Sequence, residues 1–125
     1  MTLKYFNNLA YEEIGDENDE TILFLHTKLL DKWIWIKQRE GYENYFKDYH
    51  CIFLDLPNHG DSISEEEFSI DKSSVEIYEF INHIIGNKGI ENVNIVALGI
   101  GGSIAIEILN RNPEIINNLV LSGPE

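Results

Sequence analysis

The feature that most constrains this chain is an alternation of short, continuous apolar runs with longer stretches whose apolar residues recur at spacings of three and four. The runs are Thr21 to Leu25, Cys51 to Leu54, Val93 to Leu98, broken only by Asn94, and Leu119 to Leu121. A strand that is apolar at every position belongs to a sheet covered on both faces, which in practice means parallel strands joined by crossovers. Crossovers of this length join parallel neighbours with right-handed connections. The first is expected to be a helix capped by Asp31 and carrying Trp33, Ile34 and Ile36, with Tyr45 and Phe46 after an interruption at Gly41. The second opens at Ser69, carries Ile70, Ile77, Phe80, Ile81, Ile84 and Ile85, and stops at Gly86. The third runs from Ser103 to Asn112 with Ile104, Ile108 and Leu109 on one side, closed by Pro113. Ahead of them, Thr2 to Ile14 reads as a hairpin around Asn7-Asn8. The predicted class is α/β, a three-layer α/β/α arrangement with a mostly parallel sheet and an N-terminal antiparallel hairpin.

At 125 residues the chain is expected to form a single domain spanning residues 1–125. Nine Lys+Arg against 22 Asp+Glu leave a net charge of −13, which repels phosphate backbones and anionic lipid surfaces, so neither nucleic acid nor membrane is an expected partner. No apolar stretch reaches the roughly 20 residues of a membrane span, and no apolar leader follows Met1, so a cytoplasmic protein is expected. The single cysteine, Cys51, sits among Ile52, Phe53 and Leu54 and reads as a buried, inert thiol. Asp55, His59 and Asp61 lie close in sequence but read as loop residues, so no metal and no cofactor are expected. The run Glu65-Glu66-Glu67 reads as a solvated loop.

Ligands of open parallel sheets bind beyond the carboxyl ends of the strands. The segments there are His26-Thr27-Lys28, Asp55-Leu56-Pro57-Asn58-His59-Gly60-Asp61-Ser62, Gly99-Ile100-Gly101-Gly102 and Ser122-Gly123-Pro124. Taken in order, they resemble the α/β-hydrolase fold family: a strand ending in His-Gly, a strand ending in Asp-x-Pro-Gly-His-Gly-x-Ser, a G-x-S-x-G-G elbow and helix, then a further strand after a proline. Asn58 and Thr27 stand where the family usually has glycine.

The resemblance implies a catalytic serine at the elbow apex, and that position is Gly99. Its neighbours Ala97, Gly101 and Gly102 keep the small side chains that the strained turn requires, and glycine tolerates the turn while removing the hydroxyl. The apex is also glycine in some non-catalytic members. Ser103 lies four residues beyond the apex, in the helix, with its hydroxyl expected to point away from the carboxyl edge. The resemblance places oxyanion-type backbone donors at Ile100 and Lys28, with Thr27 putting the path of the second loop in question. It gives His26 and His59 a loop-bracing role along with Asp55, Gly60 and Ser62. His50 and His83 are not placed to act as a base.

Family sheets run in the order one, two, four, three, five, six, seven, eight, and the catalytic acid and histidine follow the later strands. A chain ending after the sixth is expected to be an incomplete version of the fold, with the sixth strand as an open edge that favours a homodimer or a protein partner. The expected function is a non-catalytic α/β-hydrolase-like domain, an interaction module or a fragment of a longer protein. One alternative is a part of an ester- or amide-hydrolysing enzyme completed by another chain. Another is a dinucleotide-binding domain, suggested by Gly99-x-Gly101-Gly102 but weakened by Ile104 at the third glycine position.

Overall fold

The computed structural model describes residues 2–123; Pro124, the last residue of the fourth edge segment, lies outside them. The strands are β1 (Lys4–Phe6), β2 (Leu9–Ile14), β3 (Thr21–Leu25), β4 (His50–Leu54), β5 (Val93–Leu98) and β6 (Ile116–Ser122), in a six-stranded sheet ordered β1-β2-β4-β3-β5-β6. β1 pairs with β2 and β2 with β4 antiparallel, and the other neighbours are parallel. The hairpin turns at Asn7, whose φ of 53° is a conformation that asparagine accepts more readily than most residues. The α/β class and the antiparallel start therefore hold as expected.

Alternate residues of the central strands divide the core into two. Leu23, Leu25, Ile52, Leu54, Ile95 and Ala97 meet the helices α2 (Ile70–Lys88) and α3 (Ile100–Arg111). On the other face Ile22, Phe24, Cys51 and Phe53 pack under Trp35 and Tyr42. The parallel register sets Phe24 beside Phe53, and their rings stack at 5.0 Å between centroids. The same register aligns Leu25 with both Leu54 and Ala97, so the loops leaving β3, β4 and β5 begin at nearly one level. That alignment assembles the candidate site.

The first crossover differs from the expected helix. It is a 3-10 turn at Lys32–Trp35, a short α1 (Ile36–Glu40) and a wide π turn at Tyr42–Phe46. Asp31 caps it as expected, accepting the Trp33 amide at 2.9 Å. Trp33, Ile34 and Ile36, however, face outward, while Trp35 and Tyr42 are buried. The cause is Lys32: Asp55 draws its side chain into the protein, and in a 3-10 turn the residue three further on shares its side, which is Trp35.

α2 continues through Gly86, and Gly89 rather than Gly86 terminates it, with φ of 68° and its amide bonded to the Ile85 carbonyl. The last turn is held by Lys88, whose Nζ donates to the carbonyls of Asp16 and Asn18 at 2.9 and 2.6 Å. α3 begins at Ile100, three residues before the expected start, because Gly99 alone completes the turn from β5. β6 is longer than Leu119 to Leu121. Its Val120 is 58% and Leu121 36% exposed, with Val96 and Leu98 of β5 half-buried on the same sheet. Among the described residues no helix is long and apolar enough to cross a membrane.

Gly86 within α2 and Gly89 at its C-cap should respond oppositely to alanine. A Cβ on Gly86 meets nothing within 4 Å, so Gly86→Ala should stabilise by about 0.5–1 kcal/mol. Gly89→Ala should destabilise by about 1 kcal/mol, because alanine is strained at positive φ. Urea unfolding of the two variants reads both signs.

Candidate functional site

The loop after β4 is organised around one carboxylate. Asp55 is fully buried: Oδ1 accepts the Lys32 amide at 2.7 Å, and Oδ2 accepts Lys32 Nζ at 2.6 Å and the Asp61 amide at 2.9 Å. Lys32 Nζ also reaches Asp61 Oδ2 at 2.9 Å. Burial alone would lower the lysine's pKa, but the hydrogen bonds and charges of Asp55 and Asp61 prevail and hold it above its ordinary value. Sequence reasoning missed Lys32, since a lysine beside two tryptophans reads as solvent-facing; only an unmatched buried aspartate could have called for it.

Glycine is required at position 60, where φ is +50° and a Cβ would lie 2.4 Å from Asp55 Oδ2. Ser62 ties the loop to the hairpin, its Oγ donating to the Asp55 carbonyl at 2.7 Å and accepting the Ala10 amide at 2.8 Å. Asn58 occupies the left-handed conformation with φ of 62°, which explains how it stands where the family usually has glycine. Its Oδ1 accepts the Ser64 amide at 2.9 Å.

His26 joins this loop to the one after β3. It is fully buried, and Nε2 accepts the Leu56 amide at 2.9 Å, which requires the proton on Nδ1, where it is donated to the Thr27 carbonyl at 2.7 Å. Burial pushes its pKa below the ordinary value. His59 donates from Nδ1 to the Pro57 carbonyl at 3.0 Å and packs its ring on Phe68. Lys28 is exposed and lines an open cavity of about 390 Å³ together with Leu29, Leu30, His59 and Phe68.

At the third loop, Gly99 has φ of 49° and ψ of −121°, and its amide donates to the Ser122 carbonyl at 2.9 Å. Gly101 is pressed against β3: a Cβ there would sit 2.5 Å from the His26 carbonyl oxygen and 2.8 Å from that of Leu25. Ala97 and Gly102 are buried beside it. The Ile100 amide donates to Thr27 Oγ1 at 3.3 Å. The structure thus brings His26, Thr27, Gly99, Ile100 and Gly101 together, while Lys28 lines the His59 side.

Two further histidines and the cysteine lie away from this edge. His50 and Glu13 pair at 2.5 Å where β4 begins, away from the carboxyl edge, and His83 is exposed on α2. The hydrogen bond to His50, against the opposing effect of burial and aided by Lys4, holds Glu13 down to about 2. Burial raises the Cys51 thiol to about 12, which suppresses the thiolate.

With this geometry in view, comparison with known proteins gives a consistent answer. The family model described as alpha/beta hydrolase fold matches residues 20–125. The chain belongs to that family. It is 29% identical over 108 residues to an AB hydrolase superfamily protein of Gibberella zeae, covering 83% of this chain and 35% of that protein. It is 25% identical over 103 residues to Protein ABHD14A of Mus musculus, covering 82% and 40%. Among solved structures, an alpha/beta superfamily hydrolase from Oenococcus oeni PSU-1 superposes with a TM-score of 0.83 and 26% identity, covering 99% of this chain and 45% of that one. The chain spans 35% to 45% of the length of these proteins.

Acid should weaken this α/β-hydrolase domain in two stages. A histidine whose pKa is lowered in the fold contributes stability that is complete above its unfolded value near 6.5 and is lost as pH falls below it. Glu13, lowered to about 2, contributes above its unfolded value of 4.5 and loses that contribution between there and 2. Urea midpoints should therefore fall between pH 7 and pH 5. A His26→Gln variant should be less stable at pH 7 and flatter across that interval.

Proposed function

We propose that this is an α/β-hydrolase-type domain that forms no acyl intermediate at its elbow and serves as a binding or interaction module. One observation carries the reading: the residue at the bend from β5 into α3, where the family places its serine, is Gly99. Attack on an ester carbonyl from this position requires a nucleophilic atom on its side chain, and glycine has none. The surrounding geometry supports treating residue 99 as the apex. Its φ is positive, the helix begins at the next residue, and Gly101 makes the close backbone approach to β3 that small neighbours of an elbow permit. The dinucleotide alternative has no comparable support, because the space at Gly101 is filled by the β3 backbone.

A fluorophosphonate probe and a nitrophenyl ester test the reading. Losing a catalytic serine costs on the order of a millionfold in turnover, so the chain should show neither a mapped adduct nor hydrolysis above background. An adduct on any of its side chains, or turnover at ordinary enzyme rates, would overturn it.

The sheet edge supports the interaction half of the proposal. Among the described residues β6 is paired on one side only, with Val120 exposed beside half-buried Val96 and Leu121 exposed beside Ala97, and exposed apolar residues at a sheet edge invite a covering protein segment. A net charge of −13 opposes the pairing of two copies, so a homodimer should strengthen with salt. Light scattering on a size-exclusion column distinguishes the occupants: a dimer identifies the second copy, and a monomer that binds an apolar dye points to a different chain. A monomer that binds no such dye contradicts the proposal.

A further inference from the structure

We infer that Thr27 is a built-in acceptor that closes the Ile100 amide to external oxyanions. The inference deepens the reading of Gly99 as the elbow apex and rests on it for its meaning, since the amide just after the apex is the donor that family enzymes use for the developing oxyanion. At the start of α3, the amides of Gly102 and Ser103 are directed to the Gly99 carbonyl at 2.9 and 3.4 Å. Gly99 has no side chain with which to cap the helix. The Ile100 amide instead finds its acceptor across the sheet, in Thr27 Oγ1 at 3.3 Å.

Position 27 is where the resemblance expects glycine, and a glycine would leave that amide without a side-chain acceptor. The backbone that carries the hydroxyl is held in place. Thr27 is half-buried, its β-branched side chain is restricted at χ1, and its carbonyl accepts both His26 Nδ1 at 2.7 Å and the Leu30 amide at 3.3 Å. His26 is itself fixed by the Leu56 amide, and its carbonyl bears on Gly101. A carbonyl or carboxylate oxygen arriving at Ile100 must therefore compete with a hydroxyl whose backbone is fixed by the same loop.

Amide-resolved NMR on the full chain tests this, comparing wild type with Thr27→Val, which keeps the shape but loses the acceptor, and Thr27→Ser, which keeps the hydroxyl. The readouts are the hydrogen-exchange rate of the Ile100 amide and its shift during titration with sodium acetate against sodium chloride of equal ionic strength. In wild type and Thr27→Ser the Ile100 amide should be protected and unmoved by acetate. In Thr27→Val its exchange should rise roughly two- to tenfold, the factor that one ordinary hydrogen bond supports, and acetate should shift it saturably. The Gly102 and Ser103 amides should not change, which separates loss of this bond from general loosening of the helix. An Ile100 amide that exchanges freely in wild type, or that acetate shifts equally in wild type and Thr27→Val, overturns the inference. The wild-type measurement alone can do so if the valine variant does not fold. A fluorophosphonate adduct would refute the reading of Gly99 and leave these NMR outcomes untouched.

Discussion

The carboxyl edge of this protein depends on one buried charge pair. Asp55 has no access to solvent and would be intolerable there as a lone anion; the Lys32 ammonium and the backbone amides of Lys32 and Asp61 make it tolerable. The pair holds two loops at once, since Lys32 lies in the crossover after β3 and Asp55 at the end of β4. Removing one member of such a pair generally costs about 3–5 kcal/mol, comparable to the whole stability of a small domain. The orientation of the first crossover follows from the same contact, which turns Trp35 inward and leaves Trp33 outside.

A second constraint is steric. Parallel register brings the ends of β3, β4 and β5 to one level, and Gly101 allows α3 to start against the β3 backbone. Any side chain there would push the helix away from the sheet. The sharp bend from β5 into α3 is therefore held by packing between a helix start and a strand end.

Much of this was legible in the amino-acid pattern. Continuous apolar runs located the parallel strands, Ser69 and Asp31 marked helix starts, and the Asp55 to Ser62 motif located the most specific loop, because each depends on local chemistry. What was not legible depends on distant partners. The face that the first crossover buries is set by Lys32 meeting an aspartate 23 residues away. The stop of α2 falls at Gly89, which takes the left-handed cap, while the last turn through Gly86 is anchored by Lys88 reaching carbonyls about 70 residues earlier. The acceptor on the Ile100 amide comes from a threonine 73 positions upstream, which no window along the chain contains.

The hydroxyl of Ser62 carries one further implication. It spans 52 residues to the Ala10 amide while also bonding the Asp55 carbonyl, so the N-terminal ribbon and the most specific loop share a fastening. Fraying of the ribbon and release of the loop are then one cooperative event, and segments that look like an appendage and a core would open and close as a single unit of local unfolding.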